Sequence, residues 1–134
     1  MEKRPHVLLV EPSLSLGAEH ADWLTRAGYS VARWRGPGHP VEGPLVRGHA
    51  LVLAERPDVV VLDVELGAPS DKVLGLSALE RYIEHGLAVL VLATTPSDVE
   101  PGMGSATVLR KPVGRTALLE TVAGLASGRV LVSA

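Results

Sequence analysis

Four aliphatic residues in succession, Val59 to Leu62, run directly into Asp63. Three of them are β-branched, which suits a strand covered on both faces, as in a parallel sheet. Such a strand has no wet side, so helices must lie above and below the sheet that holds it. An acid follows where the strand leaves the sheet. The crevice beyond the carboxyl ends of strands is where open α/β sheets collect ligands and chemistry. Asp63 is therefore either a reactive group or the remnant of one.

The rest of the chain supplies the neighbours that this strand requires. His6 to Val10 predicts a buried first strand that ends at Glu11 and Pro12. Ser13 is placed to cap a helix to about Ala27, with Leu14, Ala18, Ala21 and Leu24 or Thr25 on one stripe and Gly28 as its stop. Tyr29 to Arg33 predicts a short second strand, and the Gly- and Pro-rich stretch 36–44 a loop. Leu45, Val46, Ala50, Leu53 and Ala54 have the spacing of an amphipathic helix that Pro57 ends. After Glu65 a second loop leads to a helix from about Asp71 to His85, burying Val73, Leu76, Leu79 and Ile83.

Leu87 to Leu92 predicts a fourth buried strand. Residues 97–106 contain Pro101, Gly102 and Gly104, which leaves room for a turn or two of helix. Thr107 to Arg110 gives a short fifth strand, and Leu118, Leu119, Val122 and Leu125 a last helix over about Gly114 to Ala126. Gly128 to Ala134 reads as an added edge strand or a frayed tail. Strands alternating with helices predict a three-layer α/β/α sandwich around a parallel sheet, connected right-handed.

Length and composition narrow the function. The 134 residues suit one domain, with residues 6–126 as its core, and 46% hydrophobic against 21% charged residues is globular composition. With aromatics at 3% and no Phe, the core must be aliphatic. Trp23 is read as packed or half-exposed, and Trp34, between Arg33 and Arg35, as partly buried. A net charge of −2 argues against non-specific nucleic-acid binding. The absence of cysteine removes disulfide and thiolate chemistry and fits a reducing compartment. The longest apolar run, Leu87 to Ala93, is far short of a membrane span, and the first residues lack a signal-peptide core. The expectation is a soluble cytoplasmic domain.

In such a sheet, successive strand ends deliver Glu11, Asp63, Thr94 and Lys111 to one crevice. This set, with Val-Leu-Leu-Val-Glu-Pro (7–12), Pro-Asp-Val-Val-Val-Leu-Asp (57–63) and Leu-Arg-Lys-Pro (109–112), resembles the CheY-like receiver domain of two-component response regulators. The resemblance covers residues 6 to about 126. It implies a five-stranded sheet in flavodoxin-like 2-1-3-4-5 order. It also implies a phosphoryl group accepted on Asp63 from a sensor histidine kinase, with Lys111 neutralising the transferred oxygens and Thr94 nearby. A Mg²⁺ ion would then be held by Glu11, Asp63 and a group at Glu65.

The sequence departs from that family at the parts that detect and relay phosphorylation. Pro12 stands where the family has a second acid on the metal. Ala93 takes the place of the switch hydroxyl, Val108 that of the switch aromatic, and the fourth helix is cut short. Two readings follow. One is an atypical receiver that acts by protein–protein contact, with weak or no Mg²⁺-dependent phosphorylation. The other is a conventional phosphoacceptor. A homodimer through the altered fourth-helix region or through Val130 to Val132 is compatible with either. Asp63 and Lys111 also have a purely structural explanation, because removing one member of a partly buried ion pair strands the other.

An enzyme or cofactor-binding role finds no support. Glu11-Pro12-Ser13 stands where a Gly-rich phosphate loop is needed. The five histidines (6, 20, 39, 49 and 85) lack metal-ligand spacing, and there is no nucleophile elbow.

Overall fold

The structure, a computed structural model, describes residues 4–34, 41–42, 57–63, 83–84, 86–94 and 106–133. Its strands are β1 (His6–Val10), β2 (Ser30–Trp34), β3 (Val41–Glu42), β4 (Val59–Asp63), β5 (Ala88–Ala93) and β6 (Thr107–Arg110). Its helices are α1 (Leu14–Arg26) and α2 (Arg115–Ser133). Together the strands form one sheet in the order β3-β2-β1-β4-β5-β6. The five long strands pair in parallel, in the 2-1-3-4-5 order expected. The short β3 adds an antiparallel rung at the edge, Arg33 opposite Glu42 and Trp34 opposite Val41, inside the stretch expected to be loop.

Alternation along each strand builds two cores. From β1, Leu8 and Val10 enter one cluster with Val60, Leu62, Val89 and Val91. Val7 and Leu9 enter the other, with Val59, Val61, Leu90 and Leu92. Leu24 of α1 and Leu118 and Val122 of α2 cover this second face. On the first face Ile83, in the helical pair 83–84, packs against the sheet. Every residue of β4 is buried, as its unbroken aliphatic run demanded. Trp34, expected to be partly buried, is enclosed in the first cluster. Trp23 packs half-buried against the second.

Pro57-Asp58 fixes the entry to the central strand. The Asp58 carboxylate accepts the His6 backbone N–H at 2.7 Å, and the Asp58 N–H donates to the His6 carbonyl at 2.9 Å. These two bonds set the starting register of β1 against β4, so that Val10 lies beside Leu62.

The buried face of α1 differs from the expected stripe. Leu24 is buried and Ala21 packs against the second cluster as expected, whereas Leu14 and Ala18 face out and Gly17 and His20 are buried instead. The Arg33 guanidinium lies over the N-terminal turn of α1 at Gly17. A β-carbon there would lie 2.9 Å from Arg33 Nη2, whose guanidinium donates to the Leu14 carbonyl at 3.3 Å.

Strand ends moved by one residue, with β2 and β5 each starting and ending one position later than expected. The expected helices over 45–56 and 71–85 lie outside the described residues except for 83–84, as does the shortened region 97–105. The final segment is neither strand nor tail, since α2 continues to Ser133. Extending an existing helix adds one hydrogen bond per residue without a new nucleus, and Val130 to Val132 follow that path despite β-branching. No helix among the described residues is long and apolar enough to cross a membrane.

Candidate functional site

The carboxyl ends of β1, β4, β5 and β6 lie side by side, and each places a polar residue at its tip. The ladders extend one step past the strands: the Glu11 N–H donates to the Trp34 carbonyl at 2.9 Å and the Lys111 N–H to the Ala93 carbonyl at 3.0 Å. Glu11 and Lys111 are thereby fixed by backbone geometry before their side chains make any contact. The peptide between Lys111 and Pro112 is cis.

Lys111 Nζ donates to Asp63 Oδ1 at 2.7 Å, and the Asp63 side chain is only 3% exposed. The two residues paired on sequence grounds are therefore in contact. Glu11 is also buried, and its carboxylate accepts the Ser13 N–H at 3.1 Å. Burial, together with the neighbouring Asp63 charge and a hydrogen bond to that carboxyl, pushes Glu11 from 4.5 up to about 7. Two carboxyl groups thus share one dry corner with one ammonium.

Beside them opens a cleft of about 420 Å³. Leu16, Leu92, Pro112 and Val113 form its apolar wall, while Glu11, Glu19, His20 and Lys111 supply polar groups. Thr94 is exposed and lines the same cleft. Ala93, at the expected switch position, is buried in the first core cluster, and Val108 packs against that cluster. Glu65 lies outside the described residues.

His20, Glu19 and Leu16 were not anticipated here. Their signal was present in the helical spacing of Gly17, His20 and Leu24, but Leu14 and Ala18 offered a competing apolar stripe. His20 is 4% exposed, stacks at 5.3 Å between ring centroids on Trp23, and has no hydrogen-bond partner at Nδ1. Burial lowers its pKa, so the imidazole is neutral at neutral pH.

Of the three expected ligands, Glu11 and Asp63 lie among the described residues. Pro12 offers no side-chain ligand, Asp63 is engaged by Lys111, and Glu11 holds a proton into the neutral range. Among the described residues, no group of three or more acidic or histidine side chains is placed to hold a metal. Mg²⁺ demands near-ideal octahedral oxygen ligation and dehydrates reluctantly.

No protein-family model matches the chain, and no curated protein matches it. Solved structures do. A signal receiver domain from Vibrio parahaemolyticus superposes with a TM-score of 0.74 at 21% identity, over 98% of this chain and 96% of that one. A CheY-like response regulator receiver domain protein from Methanospirillum hungatei gives 0.72 at 19% identity, over 94% and 96%. A response regulator receiver protein from Sinorhizobium medicae gives 0.69 at 20%, over 95% and 98%. With its 2-1-3-4-5 parallel order and the crevice at its strand ends, the chain has the fold of CheY-like response regulator receiver domains.

Proposed function

We propose that this chain is a single receiver-like domain of two-component signalling, spanning residues 1–134, that works by protein contact with little or no Mg²⁺-dependent phosphorylation. The observation that carries the reading is the state of the acid corner. Asp63 is tied to Lys111 at 2.7 Å and Glu11 is held near neutrality by burial. A corner with one carboxylate neutralised and the other partly protonated attracts a divalent cation weakly.

Other features support the same reading. Pro12 removes a ligand, Ala93 carries no hydroxyl for a phosphoryl oxygen, and Val108, half-buried against the first cluster, stands where the family has a switch aromatic. The domain binds a sensor histidine kinase or another signalling protein in the cytoplasm, and it is not an enzyme. One observation favours the conventional alternative: the Lys111–Asp63 contact also suits a carboxylate that accepts a phosphoryl group. A Mg²⁺ titration followed by NMR at Asp63 and Lys111 separates the two. No saturation at millimolar Mg²⁺ is expected, and a saturating isotherm at that concentration overturns the proposal.

A further inference from the structure

We propose that Lys111 and Asp63 are the precursors of an intramolecular isopeptide bond, an amide from Lys111 Nζ to Asp63 Cγ that forms with loss of one water. The bond goes beyond the protein-contact reading, which stands with or without it.

The two reactants are already together. Lys111 Nζ lies 2.7 Å from Asp63 Oδ1. Backbone geometry keeps them there, since Asp63 pairs with Leu92 in the sheet and the Lys111 N–H donates to the Ala93 carbonyl at 3.0 Å. Groups held at contact react as if at very high concentration, so a condensation that is negligible between free side chains becomes accessible. Burial works in the same direction. The Asp63 side chain is 3% exposed and that of Lys111 21%. Away from water an ion pair loses much of its advantage over a neutral amine beside a carboxylic acid. Amide formation removes both charges from the protein and releases the water.

Glu11 is the third member of the cluster. It is 5% exposed and hydrogen-bonded to the Asp63 carboxyl. Two carboxyl groups bond to each other only through a proton, so one sits between them, where it polarises Cγ for attack. The steps balance around that proton. Lys111 passes one proton to Asp63 Oδ1, and its lone pair forms the Nζ–Cγ bond as the shared proton moves to Oδ2. Glu11 then takes a second proton from Nζ and delivers it to one oxygen, whose bond to Cγ breaks as water leaves. The proton on the remaining oxygen returns to Glu11. One ammonium and one carboxylate have become one amide and one water, without a co-reactant.

The test uses the purified full chain, aged at neutral pH and read under denaturing conditions. Intact mass is expected to fall by one water, and tryptic digestion to give a branched peptide joining the segments that hold Asp63 and Lys111. Glu11→Ala keeps the pair but removes the proton relay, and should slow the loss by about a hundredfold. Lys111→Arg keeps a cation beside Asp63 but offers a permanently charged guanidinium that does not attack, so it should stay at full mass. A wild-type chain that keeps its full mass and yields no branched peptide overturns the proposal. A water loss that persists in Lys111→Arg overturns it too, because that loss marks cyclisation of Asp63 onto its own backbone. Incubation with Mg²⁺ and acetyl phosphate keeps the failures apart. Full mass with a phosphoryl adduct on Asp63 sinks both the bond and the protein-contact reading, whereas full mass with no adduct sinks the bond alone.

Discussion

Glu11 is the residue whose environment departs most from its sequence expectation. As a strand-end acid it reads as a solvated ligand, yet burial in the fold pushes its pKa up to about 7, against the ordinary 4.5. The sign follows directly. Between those two values the folded state holds a proton that the unfolded chain has released, so this contribution to stability is full below about pH 4.5. It is lost as pH rises to about 7 and changes little beyond. His20 acts the other way, since its lowered pKa costs stability as pH falls below 6.5. Comparing wild type with Glu11→Gln isolates the first effect. At pH 8 the variant should be the more stable by about 1–3 kcal/mol, with the gap closing by pH 5, as measured by urea unfolding.

Lys111 carries the opposite expectation. Its ammonium is the hydrogen-bonded partner of a carboxylate that is 3% exposed. Lys111→Met should cost about 2–4 kcal/mol at pH 8 by leaving that charge in the protein without its cation. Adding Asp63→Asn should recover much of the loss, and a double-mutant cycle measures the coupling.

At the level of elements, α1 decides the character of the site, because it contributes Leu16, Glu19 and His20 to the cleft. Its ends were legible. Ser13 accepts the Leu16 N–H at 3.2 Å as the N-cap, and Gly28 follows the helix with φ +102°. That dihedral strains any L side chain, so Gly28→Ala should lower stability by about 1–2 kcal/mol by thermal melting. The rotation of α1 was legible only in its second half. Apolar spacing placed Ala21 and Leu24 correctly against the second cluster, but Leu14 and Ala18 face out, and Gly17 and His20 are buried in their place. The sheet was readable for the converse reason. Val59 to Leu62 and Leu87 to Ala93 are apolar on both faces, and such runs have no other stable home than inside a covered parallel sheet. The two-residue strand β3 left no trace, since Val41 and Glu42 sit among Gly and Pro and two rungs need no pattern.

Over the whole molecule, the chain has the fold of CheY-like receiver domains, and on the proposed reading the corner that would hold an ion has changed chemistry. The pairing of Asp63 with Lys111 was readable because parallel strands of fixed order must bring those tips together. That Glu11 is buried against Asp63, or that the cleft is walled by Leu16 and Val113, depends on side-chain packing that no spacing encodes. With its acids partly neutralised, the domain should respond to protein surfaces more than to small phosphodonors. The direct measurement is intact mass spectrometry after incubation with Mg²⁺ and acetyl phosphate. Unchanged mass for both wild type and Asp63→Asn is the predicted result. A stoichiometric phosphoryl adduct on wild type that disappears in Asp63→Asn would contradict the account.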